Sequence, residues 1–130
     1  MKVYRVALPP EHQGNGSGKW IGPYNARTNS WDEKVRAVSF RLSREHGNDE
    51  HPSPWEDVPG GINRKEVCLF TSIEQMEEWF QTFGFDLTEA GYKVLTYETD
   101  AEIRHGRHQS VANVRNEEIT SIESPLGYIE

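Results

Sequence analysis

The stretch from Lys65 to Thr99 sets the tightest limit on the fold. "KEVCLF" is apolar and rich enough in strand-forming residues to read as a β-strand. "TSIEQMEEWFQTF" then changes period, with Ile73, Met76, Phe80 and Phe83 on one helical face. Ser72 followed by Gln75 forms a capping box, which satisfies free N–H groups at a helix start. Asp86 is placed to cap one more turn, "LTEA", which Gly91 ends. "YKVLTYET" returns to strand character.

The flanking segments extend this pattern. "KVYRVAL" at 2–8 alternates β-branched and aromatic residues, and Pro9-Pro10 stop it, so the chain opens on a strand. "SWDEKVRAVSFRLSREHG" is an amphipathic helix with Trp31, Val35, Val38 and Leu42 on one face. Ser30 with Glu33 forms its capping box, and Gly47 stands where the helix ends. "HQSVANV" and "EEITSIES" add two late strands, joined through Arg115-Asn116. Helices come early and strands cluster late, which predicts an α+β fold rather than a doubly wound sheet. At 130 residues the whole chain, 1–130, is expected to form one small domain. Its sheet, mixed or antiparallel, should have about five strands beside two main helices.

Charge narrows the partners. Fourteen basic residues against 21 acidic give a net charge of −7. Direct nucleic-acid binding is not expected, because a phosphate backbone rewards clustered Lys and Arg. The acidic residues are scattered rather than massed on one face, which argues against nucleic-acid mimicry. Cys68 is the single cysteine, so no intrachain disulfide forms, and its strand context makes it a small buried hydrophobe. "MKVYRVALPP" is no signal peptide, and no run approaches a membrane span of about 20 apolar residues. A soluble, intracellular protein with no membrane partner is expected.

Two loops stand out. The glycine-rich loop 13–25 lacks the Gly-Lys-Ser/Thr ending of a phosphate loop and does not fit GxGxxG before a crossover helix. The proline-rich loop 51–61, "HPSPWEDVPGG", holds three prolines, and neither a helix nor a central strand is expected from it. Trp55 in this loop should pack on the core or line a pocket, and His51 should face a ligand. A stiff loop serves ligand binding and plain stability equally well. His46, Asp49, His51 and Asp57 lie close in sequence, and His105 and His108 form an HxxH. Without HExxH or a cysteine pair, surface histidines explain them better than a metal site, so no metal ligand is assigned.

Arg5 interrupts an otherwise apolar strand beside Tyr4. Its guanidinium either reaches a sheet edge or faces a polar cavity, where its fork suits phosphate or carboxylate. "RHGRHQ" at 104–109 is the one locally basic stretch. It fits a small anion such as a nucleotide, or a solvated turn.

Taken together, "VYRV" at 3–6, "GPY" at 22–24, "HPSPWED" at 51–57, "LFTSIEQMEEWF" at 69–80, "GYKVLTYE" at 91–98 and "HGRHQ" at 105–109 resemble a family of small phage and prophage proteins. The likeness spans residues 3 to 114 and carries no activity with it. It implies the cytoplasm of a bacterial host.

A fainter likeness is to minimal ADP-ribosyltransferase-type domains. It implies that Arg5 holds the phosphates of NAD as substrate. Thr71 and Ser72 would contact the ribose, with Phe70 where the family has its first serine. His51, Trp55 and His108 would wall the pocket. The catalytic glutamate's place holds Gln109, which keeps a hydrogen bond but loses the charge that stabilises the transition state. Glu98 is the alternative carboxylate. Arg5, Ser72 and Gln109 should then converge on one cleft. The competing reading is a non-enzymatic phage accessory or anti-defence protein that binds a host protein or sequesters a nucleotide signal. The sequence does not specify the oligomeric state.

Overall fold

The structure, a computed structural model, describes residues 1–12, 19–24, 32–46, 51–114 and 117–129. Strands β1 (Lys2–Ala7), β3 (Lys93–Glu98) and β6 (Ile119–Glu123) make one antiparallel sheet in the order β1-β3-β6. Strands β2 (Val67–Leu69), β5 (Ser110–Ala112) and β4 (Arg104–His105) make a second, in the order β2-β5-β4. Among the described residues the two meet at a single antiparallel bridge, in which Tyr4 and Phe70 exchange N–H···O bonds of 2.8 Å. The fold is α+β, but the expected sheet of about five strands is divided into two of three strands each. Pro59 and the paired glycines Gly60 and Gly61, both at positive φ, turn the chain before β2, and the second sheet is built from strands of two or three residues.

The helices among the described residues are α1 (Glu33–Glu45), α2 (Pro54–Asp57), α3 (Ile73–Phe80) and α4 (Gly84–Ala90). Single 3-10 turns stand at Pro10–His12 and Pro125–Gly127. Asp32, not Ser30, caps α1, its carboxylate accepting from Lys34 N at 2.8 Å and Val35 N at 3.2 Å. Ser30, Trp31, Gly47, Asp49, the Arg115-Asn116 junction and most of loop 13–25 lie outside the described residues. In α3 the capping box is formed. Ser72 Oγ accepts from Gln75 N, and Gln75 Oε1 accepts from Thr71 N, both at 3.1 Å. Gly91 ends α4 at φ 95°. Asp86 sits inside that helix rather than capping it, and it pairs with Arg41 of α1. The proline-rich loop does contain a helical turn, α2, because Pro54 occupies the first helical position, where a missing N–H costs nothing.

Alternation along β1 sorts the core into two parts. Val6 and Leu8, with Tyr4 packed alongside, join Val35, Val38, Leu42, Met76 and Phe80 under the helices. Val3 and Ala7 face the other way and meet Leu69, Leu95, Tyr97 and Ala112, drawn from both sheets. Arg5 has the same parity as Val3 and Ala7. Among the described residues no helix is long and apolar enough to cross a membrane.

Candidate functional site

The proline-rich loop and the basic run 104–109 are brought together by one carboxylate. Asp57, the last residue of α2, accepts from the backbone N–H of Arg107 at 2.8 Å, of His108 at 3.0 Å and of Gln109 at 2.9 Å. Consecutive N–H groups pointing at one anion form a nest, here filled from within the chain. Gln109 completes the clamp, its side-chain amide donating to the Pro52 carbonyl at 2.9 Å. Arg104 fastens the other end of the loop, donating to Glu66 and to the carbonyls of Pro59 and Gly61. That hydrogen-bonded ion pair holds the Glu66 carboxyl below its ordinary range.

Behind the clamp lies a stack of rings. His46, at the end of α1, lies nearly flat on His51, with ring centroids 4.3 Å apart at 14°. His51 meets Trp79 of α3 edge-on at 5.1 Å, and His108 lies 6.3 Å from the same indole. Three polar atoms of the stack form a chain of hydrogen bonds. Trp79 Nε1 donates to Tyr24 Oη at 2.8 Å, and Tyr24 Oη is hydrogen-bonded to His46 Nδ1. Since the indole can only donate, the tyrosine proton is left to go to His46, which must then be the unprotonated acceptor at Nδ1. Burial pushes the His46 pKa down to about 4, assisted by neighbouring His51, and so favours the same neutral ring. Burial also raises the Tyr24 hydroxyl far above its ordinary value, keeping its proton in place.

In front of the stack opens a cleft of about 550 Å³. His51, His108 and Trp79 provide its rings, Arg107 its cation, and Gln75, Glu78 and Gln81 a polar row at intervals of three along α3 and its end. Such a cleft can stack a planar group, neutralise an anion and read donors and acceptors along a ring edge.

Of the residues singled out in the sequence, His51 and His108 reach this cleft. Trp55 is not packed as expected. It is 68 % exposed and lies over Gly61, where an added Cβ would fall 2.4 Å from its ring. Ser72 and Thr71 are engaged in the α3 capping box. Gln109 is buried in the clamp, and Glu98 ends the central strand β3 with one oxygen 2.8 Å from the N-terminal amine. Arg5 and Gln109 do line a common cavity of about 140 Å³, but Ser72 is not part of it. The expected convergence of Arg5, Ser72 and Gln109 on one cleft is therefore not formed. Cys68 is half-buried, and burial lifts its thiol to about 11, the character of a packed side chain rather than a nucleophile.

Sequence reasoning missed Gln75, Glu78, Trp79 and Gln81. The signal for Gln75, Glu78 and Gln81 was their spacing of three along α3, a polar row beside the apolar stripe. Arg107 lay within the basic run 104–109, whose members divide. Arg104 holds the loop, His105 meets Ser110 Oγ at 3.2 Å, and Arg107 and His108 turn to the cleft.

No curated protein and no solved structure matches the chain. The model of one family, described as Bacteriophage T4 Y00F protein, matches residues 1–125, and with nearly its whole length covered this chain belongs to that phage family.

Proposed function

We propose that the cleft between the 51–61 loop, the 106–109 turn and α3 binds a ligand of the nucleotide class and that the protein holds it without turning it over. The observation that carries this reading is the gathering of His51, His108 and Trp79, with Arg107, around one cleft of about 550 Å³, each imidazole within ring-contact distance of the indole. Imidazole and indole rings stack on a purine or pyrimidine face, a guanidinium binds phosphate bidentately, and amides with a carboxylate read a base edge.

Binding without turnover is the better reading because of where the two candidate catalytic groups stand. The Gln109 amide is engaged by Pro52, and Glu98 is paired with the chain's own amine. Neither lines the cleft. A phage protein of this kind, acting in the cytoplasm of its bacterial host, would sequester a nucleotide signal.

Calorimetric titration with NAD, ADP-ribose and a set of cyclic nucleotides tests the reading, with products followed by chromatography. Saturable binding of one of them, weakened about tenfold in Arg107→Ala, is the expected result. Cleavage of NAD would replace sequestration with transferase-type chemistry. Absence of binding across the set would overturn the nucleotide reading and leave capture of a host protein as the function to test.

A further inference from the structure

Gln75, Glu78 and Trp79 stand at positions i, i+3 and i+4 of α3, so one face of the helix brings two polar side chains and the indole to the histidine cleft. The capping box limits what Gln75 can offer there. Its Oε1 accepts from the Thr71 N–H at 3.1 Å, and since a backbone N–H only donates, the amide orientation is fixed. What Gln75 has left for a ligand is its pair of N–H donors. Glu78 is exposed at the same cleft, and an ionised carboxylate only accepts. The row along α3 therefore presents a donor and, one helical turn on, two acceptor oxygens. Residues three apart on a helix are neighbours, with about 5–6 Å between Cβ atoms, which matches the scale of a single base edge.

One of the common bases has the complementary order. Guanine carries the O6 acceptor beside N1–H and N2–H, two parallel donors that can meet both oxygens of one carboxylate. Adenine sets a single amino group beside the N1 acceptor, so a carboxylate oxygen would face a lone pair. Cytosine repeats that conflict, and uracil has one N–H between two carbonyls.

We infer that the histidine cleft selects guanine among nucleotide bases, with Gln75 donating to O6 and Glu78 accepting from N1–H and N2–H. This base preference rests on the nucleotide reading of the cleft and names the ligand class within it. His51 and His108 cover the face of the base, and Arg107 takes the phosphate. Arg107 stands on the turn held by Asp57, with its N–H 2.8 Å from the carboxylate, so phosphate and base edge are held by different elements. Selection depends on the direction of hydrogen bonds rather than on net charge.

The 3′,5′-cyclic monophosphates of guanosine, inosine and adenosine share sugar and phosphate and differ at the base edge. Calorimetric titration of the full chain with these three is the test. Expected is saturable binding of cyclic GMP, with cyclic IMP weaker by about tenfold or more because it lacks the N2–H bond to a charged acceptor, and cyclic AMP weaker again. Glu78→Gln keeps the side chain's shape but leaves one acceptor oxygen, and should bring cyclic GMP to within about threefold of cyclic IMP. Gln75→Glu keeps the capping box but turns the donor into an acceptor, and should remove the preference for cyclic GMP over cyclic AMP. Arg107→Ala should weaken all three alike. Cyclic IMP or cyclic AMP bound as tightly as cyclic GMP, a guanine preference that survives Glu78→Gln, or binding of NAD or ADP-ribose with none of the three would each overturn guanine selection and leave the nucleotide reading standing. Absence of binding by all five ligands would overturn both.

Discussion

Gln109 meets the proline-rich loop twice, through its backbone N–H to Asp57 and through its side-chain amide to the Pro52 carbonyl, both at 2.9 Å. The residue at the expected catalytic position is thus a fastening between two loops. Asp57 also serves Arg107 and His108, so one carboxylate positions the cation and one imidazole of the cleft. Asp57→Ala leaves these backbone donors without their acceptor, in a place where only part of the loss is made good by water. We expect a loss of about 2–4 kcal/mol in urea unfolding, and a weaker cleft because Arg107 and His108 lose their anchor. Asp57→Asn, with one acceptor oxygen left, falls between the two.

Gly106 tests the same clamp from the opposite side. A Cβ there would lie 2.4 Å from Asp57 Oδ2 and 2.8 Å from the Asp57 carbonyl, and the second of these is backbone. Gly106→Ala must push the turn off the carboxylate and costs about 2 kcal/mol. At Gly127 an added Cβ would meet nothing within 4 Å, so Gly127→Ala is the comparison and shifts stability by less than about 0.5 kcal/mol. Thermal unfolding of the two variants side by side gives the contrast.

Thr82 lies in the turn between α3 and α4, next to the cleft residue Gln81, and takes φ 74°. A β-branched side chain is strained there, whereas Asn tolerates the left-handed region. Thr82→Asn should stabilise the protein by about 0.5–1 kcal/mol, read from the shift in urea midpoint at unchanged slope. A decrease in stability would mean that the threonine side chain supports the turn by more than its backbone strain costs.

Most secondary structure was legible because its signals are local. The Ser72–Gln75 box, Gly91 at positive φ and the alternation of β1 each depend on neighbours a few residues away. The cleft was less legible because its organising bonds cross long stretches of chain. Asp57 reaches a turn some 50 residues on, and Tyr24 reaches Trp79 across 55. Local rules put Trp55 on the core or in a pocket wall, but Pro54 started a helical turn that aimed Asp57 at the later loop and left Trp55 outside. His51 and His108 could be picked out by residue type. Their partners on α3 could not, since Gln75, Glu78 and Gln81 look like any solvated helix face until the loops are laid over them.

His46 makes stability depend on pH in a stated direction. Its pKa is about 4 in the fold against 6.5 for the ordinary ring, mainly through burial and then through His51. Between these values the unfolded chain takes up a proton that the folded chain refuses, so the contribution is fully present above 6.5 and is lost as pH falls toward 4. For a half-buried ring, screened by solvent, the loss amounts to about 1–2 kcal/mol. Urea unfolding of the protein and of His46→Gln across this range measures it, and the variant should show the smaller slope. Equal slopes would assign the acid sensitivity to other groups.

Ser72 separates structural from ligand-binding roles. Its hydroxyl accepts from Gln75 N at 3.1 Å and so caps the helix that carries the polar row of the cleft. Ser72→Ala should cost about 1 kcal/mol in unfolding, the usual loss for an N-cap. Were the hydroxyl to hold a ribose, the same change would also weaken nucleotide binding at temperatures where the variant is fully folded. The expected result is a lower unfolding midpoint with nucleotide affinity within about twofold of the parent, because the serine does not line the cleft and its bond is spent on the helix. Ser72→Asp, which can still cap and also places a negative charge at the positive end of α3, should recover the midpoint without touching affinity. A drop in affinity in both variants, with stability restored in the second, would return Ser72 to the binding site.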